Sequence, residues 1–219
     1  MKLVVGLGNP GKKYAGTRHN VGFDVLAELS ARCGGGKPKE RFEAETVEIF
    51  IGTERVLLLA PQTYMNASGR SVRQAVDFFQ LPLADVMVVS DDLNLPVGKL
   101  RIRGAGSAGG QKGLENIIQQ LRTNEFARLR IGIDPPPANT NAADYVLGRF
   151  GKIDGEAVKT AIFRSADAIE AWVRHGVPAT MNQFNSDPDV PPREPKKPRV
   201  PRAGVENDPK ARKPQSEES

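Results

Sequence analysis

Cysteine, histidine and long apolar runs are the scarce features of this 219-residue chain. One cysteine, Cys33, leaves no partner for an intramolecular disulfide. The longest apolar opening, Leu3 to Gly8, gives way after six residues to polar ones, too few for a membrane span and unlike a secretory leader. A cytoplasmic protein with no membrane association is therefore expected. The last stretch lacks something different: Asn185 to Ser219 holds eight of the seventeen prolines and almost nothing large and apolar, so it cannot bury enough surface to offset the entropy of ordering it. Residues 1–184 are expected to form one packed domain and residues 185–219 a disordered, Pro-rich charged tail.

The formal net charge is +5. The tail carries eight Lys or Arg against seven Asp or Glu, so most of the excess sits on the packed part, which suits a polyanionic partner without requiring one.

Hydrophobic periodicity supplies the elements. Lys2 to Leu7 reads as a buried strand stopped by Gly8, Asn9, Pro10 and Gly11, and Val21 to Arg32 as a helix with Val21, Val25, Leu26 and Leu29 on one face. Phe42 to Ile51 alternates as a strand, Val56 to Ala60 is a fully apolar one, and a helix follows from Ser68 to Phe79. Val86 to Val89 is a buried strand running into Ser90, Asp91 and Asp92. Lys99 to Arg103 and Ala127 to Ile133 are further strands, separated by a glycine-rich loop and a short helix from Leu114 to Leu121. A long amphipathic helix covers Ala157 to Arg174, with His175 placed to cap it before Gly176 and Pro178. Strands alternating with helices predict an α/β class, a single-domain sandwich with a mixed, mostly parallel sheet flanked by helices.

One motif misleads. Gly6, Gly8 and Gly11 satisfy G-x-G-x-x-G directly after a strand, the dinucleotide fingerprint. In that fold the helix opens within the glycine run so that its N-terminus meets the pyrophosphate, whereas here Pro10, Gly11, Gly16 and several polar residues delay it to Val21. A tight loop with positive φ is the better reading, and no cofactor is expected.

Four blocks carry a more specific signal: VGLGNPGKKYAGTRHNVGFDVL from Val5, PQTYMNASGRSV from Pro61, SDDLNLPVGKLRIR from Ser90, and GSAGGQKGLENII with FARLRIGI from Gly106 and Phe126. In this order they resemble the signatures of bacterial-type peptidyl-tRNA hydrolases, over roughly residues 1–184. The resemblance implies hydrolysis of the ester joining a peptide to the tRNA 3′ ribose, with peptidyl-tRNA as the nucleic-acid partner, no metal, no stable protein partner and a monomer.

His19 lies in a polar loop and matches the family's general base, and Asp91 matches the carboxylate that holds its ring, a triad without the serine. No Ser or Cys nucleophile stands in any block, so water is the expected attacker. A metal role for Asp91 and Asp92 is disfavoured, since no His, Cys or further carboxylates accompany them at ligand spacing.

Asn9 and Asn66 are candidate amide donors, with turn formation as the alternative for Asn9 beside Pro10. By resemblance Asn9 also discriminates blocked from free amines. Tyr14, Tyr64 and Met65 match positions lining the peptide and terminal-adenosine groove. Lys99, Arg101 and Arg103 share one strand face, as do Arg128 and Arg130, with Leu100, Ile102, Leu129 and Ile131 turned the other way. Such rows are usually solvated, but the family's clamp on the tRNA 5′ phosphate would fall on Arg103 and Arg130.

The chain departs from the family at Gln111 and Lys112, where His and Asn commonly stand. Lysine offers donors and charge but no acceptor, so contact with a phosphate of the tRNA 3′ end replaces the usual amide role, or else Lys112 is a solvated bystander. Two competing readings remain: a non-catalytic RNA-binding, splicing-factor-like relative, and a small-ester or small-amide hydrolase, which the basic strand faces disfavour.

Overall fold

The computed structural model describes residues 1–186. Seven strands form one mixed sheet: β1 Lys2–Gly6, β2 Lys39–Arg41, β3 Ala44–Ile51, β4 Glu54–Pro61, β5 Val86–Asp92, β6 Leu100–Arg103 and β7 Ala127–Gly132. Their order is β2-β3-β4-β1-β5-β7-β6. The four inner strands β4, β1, β5 and β7 run parallel, while β2, β3 and β6 attach antiparallel at the edges.

Burial on both faces explains why β1 and the first half of β5 read as unbroken apolar runs. Val4 points into one core layer with α1 (Val21–Arg32) and α5 (Lys152–Phe184), while Leu3 and Val5 point into the other with α2 (Ser68–Phe79) and α3 (Lys112–Leu121). The sandwich expected from the alternation is present, with parallel pairing confined to the centre.

The glycine fingerprint is a packing device. A Cβ on Gly22 would lie 2.4 Å from Leu7 N, one on Gly6 would lie 2.3 Å from Gly22 O, and one on Gly8 would press on the Phe23 ring. Only Gly11 of the three has positive φ, 101°. The tight-loop reading thus holds for Gly11, whereas Gly6 and Gly8 are required by the close approach of α1.

Several boundaries moved for physical reasons. Phe42 and Glu43 adopt left-handed φ of 58° and 52° and form the turn between β2 and β3, so the strand expected from Phe42 begins at Ala44. β5 continues through Asp92, placing both carboxylates on the strand itself. The helix expected to end at Arg174 runs on to Phe184 across a kink at Gly176 (φ 76°), so His175 closes only its first segment. Asn185, expected to open the tail, belongs to the fold: its side chain accepts from Ile102 N at 2.7 Å and donates to Ile102 O at 3.0 Å, pairing the free edge of β6. The remaining tail residues, 187–219, lie outside the described residues. A short helix, α4 (Ala142–Leu147), was not expected from the sequence.

Asp24 stands in the first turn of α1, where burial raises its carboxyl from an ordinary 3.8 to about 6. The folded state keeps the proton up to about pH 6, whereas the unfolded chain releases it near 3.8. Stability contributed by the neutral form is present below pH 4 and lost as pH rises through that window. Asp24→Asn should therefore raise Tm at pH 7.5 by about 2–4 °C, equivalent to about 1 kcal/mol after allowance for partial solvation, and leave it unchanged at pH 3.5. Thermal unfolding at both pH values checks this, and an equal effect at both would refute it.

Candidate active site

The chemistry-bearing residues gather beyond the carboxyl ends of the parallel strands, where α/β sheets place their sites. Asn9 follows β1, Asp91 and Asp92 end β5, and Arg130 lies on β7 beside Ser90. His19 comes from a 3-10 turn, Arg18–Asn20, that leads directly into α1.

His19 Nδ1 lies 2.9 Å from Asp91 Oδ2. The carboxylate can only accept, so Nδ1 carries the hydrogen, and in the neutral ring the lone pair is on Nε2. Asp91 is 3% exposed and the His19 ring 12%, a pair withdrawn from water on one side and open on the other. Asp91 Oδ1 accepts from Gln111 Nε2 at 3.1 Å, so both carboxylate oxygens are engaged. Its neighbour Asp92 is occupied elsewhere, by Arg130 Nη1 at 3.2 Å and by the backbone and side chain of Asn94.

Asn9 is held by Asn20 as if by another strand: Asn9 N donates to Asn20 Oδ1 at 2.9 Å, and Asn20 Nδ2 donates to Asn9 O at 3.0 Å. Asn9 Oδ1 accepts from Met65 N at 2.9 Å. That bond identifies the oxygen and leaves Nδ2 as the end able to donate to a ligand.

A cavity of about 450 Å³ joins these groups. Asn9, His19, Met65, Asp91 and Gln111 line it, together with the more exposed Tyr64, Asn66 and Lys112, Arg130, and the face of α4 that carries Ala142, Val146 and Leu147. Arg18 fastens α4 beside the His19 turn, with its guanidinium 4.2 Å from the Tyr145 ring centroid and 5.1 Å from that of Phe150.

Of the ten candidate residues the cavity brings together eight. Tyr14 does not line it; it stands in the preceding 3-10 turn with the Lys13 ammonium over its ring. Arg103 does not either, being exposed on β6 opposite Arg128. The basic row is less solvated than expected: Arg128 is fully buried and donates to the carbonyls of Gly106, Ser107 and Asn124. Burial first, and the nearby Arg130 second, lower its guanidinium to about 10. Arg130 binds Ser107 O as well as Asp92. Both arginines thus hold the glycine-rich loop to β7.

Asn20, Arg18 and Gln111 were not among the expected site residues. Asn20 carried a signal, since it adjoins His19 in the same block and its amide can mimic a peptide; the other two act through contacts with distant segments. Among the described residues no group of three or more His, Cys, Asp or Glu is placed to hold a metal, and no helix is long and apolar enough to cross a membrane.

A profile of the peptidyl-tRNA hydrolase family matches residues 3–193. The chain belongs to the peptidyl-tRNA hydrolase family. It is 54% identical over 186 residues to the peptidyl-tRNA hydrolase of Rhodopirellula baltica, an alignment covering 85% of this chain and 98% of that protein. Identity to the Listeria monocytogenes enzyme is 48% over 185 residues, covering 84% of this chain and 99% of the relative. The crystal structure of peptidyl-tRNA hydrolase from Acinetobacter baumannii superposes with a TM-score of 0.80 at 34% identity, over 85% of this chain and 95% of that one.

Within this family member the Asn9–Asn20 contact has a measurable consequence. Asn20→Ala strips the partners from two buried backbone groups, each costing about 1–3 kcal/mol. A fall in Tm of more than about 5 °C is expected, with kcat/KM reduced as Asn9 loses its seat. A Tm within 1 °C of wild type would show that water replaces the amide.

Proposed function

We propose that the chain hydrolyses the ester between the peptide and the 3′ ribose of peptidyl-tRNA by a water molecule that His19 activates. The observation carrying this reading is the His19–Asp91 pair, which leaves Nε2 free at the cavity. Nε2 takes a proton from water as its oxygen adds to the ester carbonyl; Asp91 stabilises the imidazolium. The tetrahedral intermediate then collapses, its C–O bond to the ribose breaks, and the imidazolium returns the proton to the leaving ribose oxygen.

Asn9 Nδ2 and the Asn66 amide are the donors proposed for the developing oxyanion or the adjoining peptide amide. Met65 forms an apolar wall, and Tyr64, with 61% of its surface exposed, offers a ring on which the terminal base can stack. Lys112, exposed at the start of α3 on the cavity wall, is proposed to meet a 3′-end phosphate. Arg130, and Arg103 farther out on β6, are proposed for phosphates farther along the tRNA, Arg130 with those donors that Asp92 and Ser107 leave available. Tyr14, outside the cavity, is proposed to contact only substrate that extends beyond it. We further propose a monomer working in the cytoplasm, where translation supplies the substrate.

A non-catalytic RNA-binding role is not favoured, because a binding protein has no use for an oriented base with a vacant nitrogen. Cleavage of N-blocked aminoacyl-tRNA by wild type and His19→Ala tests this directly. His19→Ala should lose at least about 10²-fold in kcat while binding tRNA as wild type does. Asp91→Asn should lower kcat more than it raises KM. Retention of a tenth of wild-type kcat by His19→Ala would overturn the assignment.

For Lys112→Ala the expected result is weaker substrate binding and a log–log salt slope smaller by about 0.7–0.9. An unchanged slope would make Lys112 a bystander.

A further inference from the structure

Gln111 is 8% exposed and spends both ends of its amide. Its Oε1 accepts from Leu114 N at 2.8 Å, capping α3, and this bond turns the nitrogen toward Asp91 Oδ1 at 3.1 Å. Among the described residues no other hydrogen bond reaches Asp91 Oδ1. The same nitrogen lies 3.2 Å from Met65 Sδ, on the cavity wall. A chain of contacts therefore runs from the first turn of α3 through Gln111 to Asp91 and on to His19.

A carboxylate with one oxygen tied down cannot rotate freely, so the oxygen presented to His19 Nδ1 is selected by the bond on the other. A hydrogen bond to a charged acceptor is also stronger than a neutral one, so the restraint on Asp91 is a firm one. Resting on the functional reading above, we propose that Gln111 is the positioning residue of the His19–Asp91 pair: its neutral amide donor, itself fixed by the cap of α3, sets the orientation of the Asp91 carboxylate.

Other groups near the pair have different engagements. Asp92 and Arg130 are bonded to each other, Arg18 lies over Tyr145 and Phe150, and Lys112 and Tyr64 stand exposed on the cavity wall. Among the described residues Gln111 alone couples the helix cap to the carboxylate.

Two substitutions separate the two ends of the amide. Gln111→Asn retains a residue type preferred at the N-cap but is one methylene too short to reach Asp91 as well. Gln111→Glu keeps an oxygen for Leu114 N and sets another against Asp91 Oδ1, replacing attraction with like-charge repulsion.

The full chain has only two histidines, His19 and His175, so their ring NMR signals can be assigned with His175→Ala and titrated without relying on activity. In Gln111→Glu the His19 midpoint should move by about one pH unit or more relative to wild type, with His175 unmoved. In Gln111→Asn, hydrolysis of N-blocked aminoacyl-tRNA should fall about tenfold in kcat with KM within about twofold, and Tm should stay within about 2 °C. An unchanged His19 titration in Gln111→Glu together with wild-type kcat in Gln111→Asn would reduce Gln111 to a helix cap and overturn the proposal. Absence of hydrolysis by wild type, with the His19 midpoint still displaced in Gln111→Glu, would refute the functional reading while upholding the coupling.

Discussion

The site depends on how closely α1 can lie on the end of the sheet. Gly22 opens that helix against the backbone of Leu7, just after β1, and of Val89 in β5, and any side chain there would collide with both. Because the helix is seated so near, the turn just before it passes over the ends of β1 and β5. His19 is thereby brought to Asp91, and Asn20 to Asn9, across sequence separations of 72 and 11 residues. Glycines that resemble a nucleotide-binding fingerprint are in this chain the steric condition for the His19–Asp91 pair.

Around that pair the polar groups are arranged so that few are spare. Asp91 is divided between His19 and Gln111, Asp92 between Arg130 and Asn94, and the Asn9 oxygen is spent on Met65 N. What remains uncommitted at the cavity is a basic ring nitrogen and amide donors, the set that ester hydrolysis by water needs. The hydrogen bonds among these groups tie together the end of β1, β5, the turn before α1 and the cap of α3.

The basic row on β6 and β7 shows how a correct face assignment can still misplace a residue. Register sets Arg101 opposite Arg130 and Arg103 opposite Arg128, an arrangement of like charges that is unfavourable unless the side chains diverge. Arg128 turns inward to backbone carbonyls, Arg130 to Asp92 and Ser107, and Arg101 and Arg103 remain in solvent. Alternation along the strand predicted which way these chains point. Only the loop folded over β7 decided which of them are buried.

Sequence by itself determined the features that rest on local periodicity or on contiguous blocks. The alternating α/β order, the strand ends carrying Asn9 and Asp91, the start of α1 at Val21 and the candidacy of His19 were all legible, because each depends on residues adjacent in the chain. Tertiary structure decided what depends on two distant segments meeting. The left-handed turn at Phe42 and Glu43, the run of α5 past Gly176 and the pairing of Asn185 with β6 follow from packing that outweighs local propensity. The displacement of Tyr14 and Arg103 from the cavity, and the place of Gln111 behind Asp91, likewise needed coordinates. A side chain's type and position in the sequence state which bonds it can make, but the partner that completes each bond lies tens of residues away, and only the folded chain supplies it.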